Sequence, residues 1–132
     1  MKTGIKVIDL GQMDYQSAWD FQKDYLEEVM LGIKQDTLFF VEHEPVYTLG
    51  KNADENHLLQ SAPKDAKVFN IERGGDITFH GPGQIVGYPI LDLHRYKKSI
   101  VWYMRTLEQV LIDTLATYDI DAGLKEGLTG VW

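Results

Sequence analysis

The sequence predicts an α/β or α+β fold, a sheet with two long helices packed on it. Three observations point there. Apolar residues recur at helical spacing over two long stretches, one near each end. Short runs rich in β-branched and aromatic residues lie before and between those stretches. Glycine and proline punctuate the joints.

The elements follow in chain order. Residues 5–10, IKVIDL, read as a first strand. Asp14 is placed to cap the helix that follows. Tyr15, Ala18, Trp19, Leu26, Val29, Met30 and Ile33 give that helix a core-facing stripe, and Gly32 marks its end. TLFFVE, 37–42, is apolar enough for a buried strand. In HEPVYTLGK, 43–51, Pro45 restricts the backbone and Gly50 permits a turn. Residues 53–60 suit a short helix, and Pro63 with Lys64 and Asp65 begins a loop. VFNIE, 68–72, and IVGYPILDL, 85–93, read as strands. Pro89 cannot donate to a ladder, so it belongs at a sheet edge or bulge. Ser99 caps the second long helix, whose apolar face is Met104, Leu107, Leu111, Leu115 and Tyr118. DIDAG, 119–123, is turn chemistry, and LTGVW, 128–132, reads as the start of a strand. No repeat, low-complexity segment or linker interrupts the chain.

Bulk properties remove several classes of function. The chain has 132 residues, 44% of them hydrophobic, enough for a core. Its formal net charge is -7, with 20 acids against 13 bases. Binding nucleic acid through bulk charge needs the opposite balance. There is no cysteine, so a disulfide, a zinc-thiolate site or a cysteine nucleophile within this chain is excluded. The first twelve residues lack the apolar core of a signal peptide, and no apolar run approaches the roughly 20 residues of a membrane span. A cytoplasmic protein without nucleic-acid or membrane partners is expected.

The densest local signal is RGGDITFHGPGQ, 73–84. Gly74 and Gly75 directly after a strand can present bare N–H groups to a ligand carbonyl or carboxylate. Arg73 can add a charge-assisted donor. Thr78 and His80 alternate with Ile77 and Phe79, so an extended segment has one polar and one apolar face. Gly81-Pro82-Gly83 makes a sharp turn that Gln84 can bridge. A glycine-rich hairpin with a satisfied histidine explains the same residues without any ligand. A phosphate loop fails, because no Gly-Lys-Ser/Thr is present and no helix opens after the glycines; a dinucleotide fingerprint fails likewise. His43, His57, His80 and His94 lack metal-ligand spacing. Neither metal nor cofactor is expected.

These residues resemble a known family. Arg73-Gly74-Gly75, Thr78 and His80-Gly81-Pro82-Gly83-Gln84 together are similar to the signature of the lipoyl(octanoyl) transferases. The stretch from Glu42 to Gly50, EHEPVYTLG, resembles the family's upstream motif, and GLTGVW, 127–132, the segment before its later catalytic strands. The resemblance implies a biotin/lipoate protein ligase-type fold, a mixed sheet akin to the class II aminoacyl-tRNA synthetase core. It implies transfer of an octanoyl group from acyl carrier protein to a lysine of a lipoyl domain, in 2-oxoacid dehydrogenases or the glycine cleavage H protein. It also implies that Arg73, Gly74, Gly75, Asp76, Ile77, Thr78, Phe79 and His80 line the acyl substrate.

One departure matters. The family's nucleophile is a cysteine, activated by a lysine, and both fall beyond Trp132. Lys125 precedes the Gly-Leu-Thr-Gly segment and does not match that lysine. No catalytic residue is therefore assigned in 1–132. The chain is expected to be the N-terminal portion of one catalytic domain, inactive alone. The alternatives are a non-catalytic acyl-binding module and half of a split transferase; an ATP-dependent lipoate ligase ranks below them. His94-Arg95-Tyr96-Lys97-Lys98 is the one dense basic stretch for an acidic carrier protein, although a solvated loop accounts for it as well.

Overall fold

The computed structural model describes residues 4–54 and 66–132. The chain divides into two compact units, Met1–Leu91 and Asp92–Trp132.

The first unit opens with β1, Lys6–Gln12, and helix α1, Tyr15–Met30. Gly11 at φ +66 lies within an irregularity in β1, and its N–H donates to the Asp9 carboxylate at 2.8 Å. Asp14 caps α1: its carboxylate accepts from the Ser17 N–H at 2.9 Å and the Ser17 hydroxyl at 2.6 Å. The helix ends at Leu31, with Gly32 at φ +74. β2 is Thr37–Glu42, the expected TLFFVE run.

β1, β2 and β6, Val86–Ile90, form one three-stranded sheet with β2 in the centre. β1 runs parallel to β2 with α1 as the crossover, and β6 runs antiparallel, pairing Phe39 with Tyr88 and Leu38 with Pro89. Pro89 thus lies on an edge strand, where its missing N–H costs least. The core is Tyr25, Val29, Phe39 and Ile90, with Ile8, Leu10, Phe21 and Tyr88 packed around it. Phe21 and Tyr25 meet the Phe39 ring edge-on at 5.1 and 4.8 Å.

The buried face of α1 differs from the expected stripe. Ala18 and Val29 are buried, but Leu26, Met30 and Ile33 are exposed, and Tyr25 takes their place. Apolar residues cover more of α1 than one stripe, so spacing alone leaves the phase open. Tyr25 can sit inside because its hydroxyl meets Thr37 Oγ1 at 2.8 Å.

A second three-stranded sheet holds β3, Val46–Leu49, between β4, Lys67–Asn70, and β5, Ile77–His80. β3 is parallel to β4 and antiparallel to β5. The sequence by itself suggests only a turn region at 43–51. Its four central residues are a strand because partners distant in sequence pair with both of its edges. Of the short helix expected at 53–60, residues 53 and 54 are not helical, and the remainder lies outside the described residues, as does the loop at 63–65.

The second unit begins with a one-turn 3-10 helix, Leu93–Arg95, capped by Asp92. Helix α2, Ile100–Ala116, follows, and Ser99 Oγ accepts from the Trp102 N–H at 3.2 Å. The expected apolar face is largely uncovered, with Met104, Leu111 and Tyr118 all exposed. The buried residue of α2 is Glu108. Its carboxylate accepts from the Gly130 N–H at 2.9 Å and from Arg105 Nη1 at 2.6 Å. Residues 128–132 form no strand, contrary to the sequence expectation. Gly123 and Trp132 instead exchange a single pair of backbone bonds of 2.8 and 2.9 Å, too few for a ladder. Lys125 lies over the Trp132 ring, its Nζ 5.2 Å from the centroid. Among the described residues no helix is long and apolar enough to cross a membrane.

Candidate functional site

The glycine-rich segment is tied to β3 and the turn after it. Cross-strand pairing sets Thr48 opposite Thr78 and Val46 opposite His80. Beyond β3, the Gly50 N–H donates to Asp76 O at 3.2 Å, Lys51 N–H to Arg73 O at 2.9 Å and Asn52 N–H to Gly75 O at 3.2 Å. The Asp76 carboxylate accepts from the Ile77 and Asp54 N–H groups at 2.8 and 3.0 Å. Residues 73–76 are thereby fastened to 50–54 along their length.

Two glycines are required by this geometry. Gly75 has φ +92, which other residues rarely adopt. A Cβ on Gly50 would come within 2.4 Å of Gly75 O and 2.7 Å of Arg73 Nη1. Gly74 differs, since a Cβ there would meet nothing within 4 Å.

Arg73 donates within the fold. Its Nη2 donates to Thr48 O at 3.0 Å, Thr48 Oγ1 at 2.9 Å and Thr78 Oγ1 at 2.9 Å. Its Nη1 donates to Gly74 O at 2.8 Å. A planar guanidinium reaches all four acceptors at once, which a lysine cannot do. Arg73 therefore clamps β3, β5 and the glycine turn together. The N–H groups of Gly74 and Gly75 donate to no described residue.

His80 ends β5. Its Nδ1 donates to Gln84 Oε1 at 2.5 Å, and the Gln84 N–H donates to Gly81 O at 3.1 Å, so Gln84 bridges the turn as its position suggests. The Gly83 N–H donates to Glu42 Oε2 at 3.2 Å, tying the turn to the end of β2. Phe79 faces away from His80, 41% exposed, with its ring 5.1 Å from Tyr47. The alternation of polar and apolar faces holds over 77–80.

Beside His80 stands a residue that sequence reasoning weighs as a metal ligand and as part of EHEPVYTLG, but not as a site residue. His43 is 2% exposed. Its Nδ1 lies 2.7 Å from Met13 O and its Nε2 2.7 Å from the Tyr88 hydroxyl. Tyr15 packs edge-on against its ring at 5.3 Å, and the His80 ring centroid is 6.0 Å away. Burial lowers the His43 pKa, and burial likewise pushes the Tyr88 hydroxyl well above its usual range. The available signal is His43 standing between two apolar runs, two residues before Pro45.

Three clefts, of about 390, 320 and 300 Å³, lie in the first unit. None is lined by a residue from 73 to 80. The third adjoins the histidine cluster through Tyr15, with Asp14, Glu44, Lys67 and Phe69 around it. In the basic stretch 94–98, Asp92 accepts from His94 Nδ1 at 2.9 Å and lies 3.5 Å from Arg95 Nε, so part of that positive charge is balanced locally.

Comparison with known proteins agrees with this architecture. An octanoyltransferase of Gloeobacter violaceus is 45% identical over 127 residues, covering 96% of this chain and 57% of that protein. An octanoyltransferase of Flavobacterium johnsoniae is 46% identical over 147 residues, covering all of this chain and 63% of that protein. The chain thus spans roughly three fifths of these relatives' length. In fold it is similar to Plasmodium falciparum LipL1 in complex with lipoate, with TM-score 0.65 and 15% identity over 92% of this chain and 39% of that one. It is also similar to a bi-partite lipoate protein ligase of Thermoplasma acidophilum, with TM-score 0.61 and 15% identity over 95% of this chain and 49% of that one. The family model of the lipoyl protein ligase A/B catalytic domain matches residues 14–132, and the chain belongs to that family.

Proposed function

We propose that the full-length protein is an acyltransferase that moves an octanoyl group from acyl carrier protein to a lysine of a lipoyl domain. In this reading residues 1–132 supply the acyl-binding part, with Arg73 to His80 as one wall. The observation that carries it is the rigid fastening of 73–80 to β3 by the Arg73 clamp, in a chain 45% identical to an octanoyltransferase. A wall so held needs no reorganisation when a flexible chain lies against it. The N–H groups of Gly74 and Gly75, which donate to no described residue, can then face a thioester carbonyl.

Transfer through an acyl-thioester requires a thiolate, and these 132 residues contain no cysteine. The nucleophile is therefore assigned outside them. The test is to incubate the full-length protein with octanoyl-carrier protein and an apo lipoyl domain, then weigh the lipoyl domain intact. A gain of one octanoyl group without ATP is expected, and none from residues 1–132 alone. Absence of that gain with the full-length protein rejects the reading, and a gain that needs ATP and free lipoate replaces it with a ligase.

A further inference from the structure

His43 lies where three separate parts of the first unit converge. Met13, whose carbonyl it contacts, precedes α1; Tyr88 belongs to β6 of one sheet; His80 belongs to β5 of the other. His43 itself is on the link between β2 and β3, the strand-to-strand connection from one sheet to the other.

The hydrogen bonds select one neutral tautomer. A carbonyl oxygen only accepts, so Nδ1 must carry a proton and donate to Met13 O. In the neutral ring the Tyr88 hydroxyl then donates to Nε2, which accepts only when unprotonated. Of the two neutral tautomers only Nδ1–H satisfies both bonds; the charged ring would instead donate from Nε2 to the Tyr88 oxygen, and burial disfavours that form.

We propose that His43 is a positioning residue that acts as a single fixed tautomer to hold the Tyr88 hydroxyl and the His80 ring on one face shared by the two sheets. The role deepens the acyltransferase reading and rests on it for its use: the face so aligned carries the end of the segment 73–80. Fixing the tautomer fixes the direction of the Tyr88 O–H. Packing at 6.0 Å sets the ring against which His80 stands, while Gln84 holds the far side of His80 through Nδ1. His80 Nε2 is then presented as an acceptor whenever that ring is neutral.

The titratable groups facing His43 are Asp14 and Tyr15 from the start of α1, His80 from β5 and Tyr88 from β6. Burial and His80 oppose its protonation, and the bond to Met13 O and the Asp14 charge favour it. Burial is the largest influence, so the His43 pKa lies below its ordinary value.

The test uses full-length protein with nitrogen-15 histidine. At about pH 8 the His43 spectrum should show a protonated Nδ1 and an unprotonated Nε2, and on acidification the ring should take up its second proton later than an ordinary histidine does. A protonated Nε2 with an unprotonated Nδ1 at that pH, or a second proton taken up as early as in an ordinary histidine, overturns the proposal. The second arm measures octanoate binding by calorimetry, with each variant's folding checked by circular dichroism. Tyr88→Phe and His43→Asn should each weaken binding about tenfold, and the double variant by no more than about tenfold, because both break one bond. Unchanged octanoate affinity in folded variants, or fully multiplicative losses, overturns the positioning role. If the unaltered protein binds no octanoate, the acyl reading fails, and the histidine spectrum alone decides whether the tautomer is locked.

Discussion

Gly50→Ala puts the architecture of the glycine-rich segment to a quantitative test. The added Cβ would lie 2.4 Å from Gly75 O, whereas ordinary contact begins at 3.4 Å. The turn must retreat by the difference, about 1 Å, a displacement that a close-packed site resists. The obstacle is backbone, so no side-chain rotation relieves it. Retreat stretches the bonds from Gly50, Lys51 and Asn52 to Asp76, Arg73 and Gly75. Each such bond contributes about 1 kcal/mol net, and overpacking adds about 1–3 kcal/mol. With partial relaxation, a loss of about 3 kcal/mol follows, read as a fall of roughly 1.5 M in the urea midpoint of the full-length protein. Gly74→Ala is the control. It lies in the same segment with nothing within 4 Å of the new atom, and should change stability by less than about 0.5 kcal/mol. If Gly50→Ala costs no more than Gly74→Ala, the segment is not fastened as described, and the rigid-wall argument falls with it.

Two further outcomes are expected. Phe39→Ala, at a fully buried ring between Phe21 and Tyr25, should cost about 3–5 kcal/mol in the same denaturation assay. Glu108→Gln should speed amide exchange at Gly130, because a neutral amide oxygen accepts more weakly than a carboxylate. The bond to the Gly130 N–H, helped by Arg105, lowers the Glu108 pKa below its ordinary 4.5. The stabilisation is therefore fully present above that value and is lost as the pH falls through the lowered range, a step that Glu108→Gln should remove.

What the sequence revealed depended on how local each cause was. TLFFVE is a strand with the expected bounds, because six consecutive residues with no breaker suffice for a central strand. Asp14 and Ser99 were readable as caps because the capping bond spans three residues. β3 was not readable: four residues between Pro45 and Gly50 owe their conformation to β4 and β5. The phase of α1 was missed for a related reason, since only Phe39 and Ile90 decide that Tyr25 rather than Leu26 faces inward. At the site, the glycine turn after Arg73 was legible in part: Gly75 does adopt positive φ, as a glycine turn suggests. The acceptors of Arg73 were not, because Thr48 lies 25 residues upstream. His43 is not legible as a positioning group, because its partners, Met13 and Tyr88, are 30 and 45 residues away.

The placement of β2 at the centre of its sheet also bears on synthesis. β1, α1 and β2 are consecutive, so three of the four core residues, Tyr25, Val29 and Phe39, have been made once Glu42 leaves the ribosome. The nascent chain can then collapse around Phe39 early. The side of β2 opposite β1 has no partner, however, until Val86–Ile90 has been translated. During that interval an apolar strand exposes its hydrogen-bonding edge, the condition in which chains pair with one another instead of with themselves. The order of elements thus makes the delay before β6 emerges the interval in which a chaperone has most to protect.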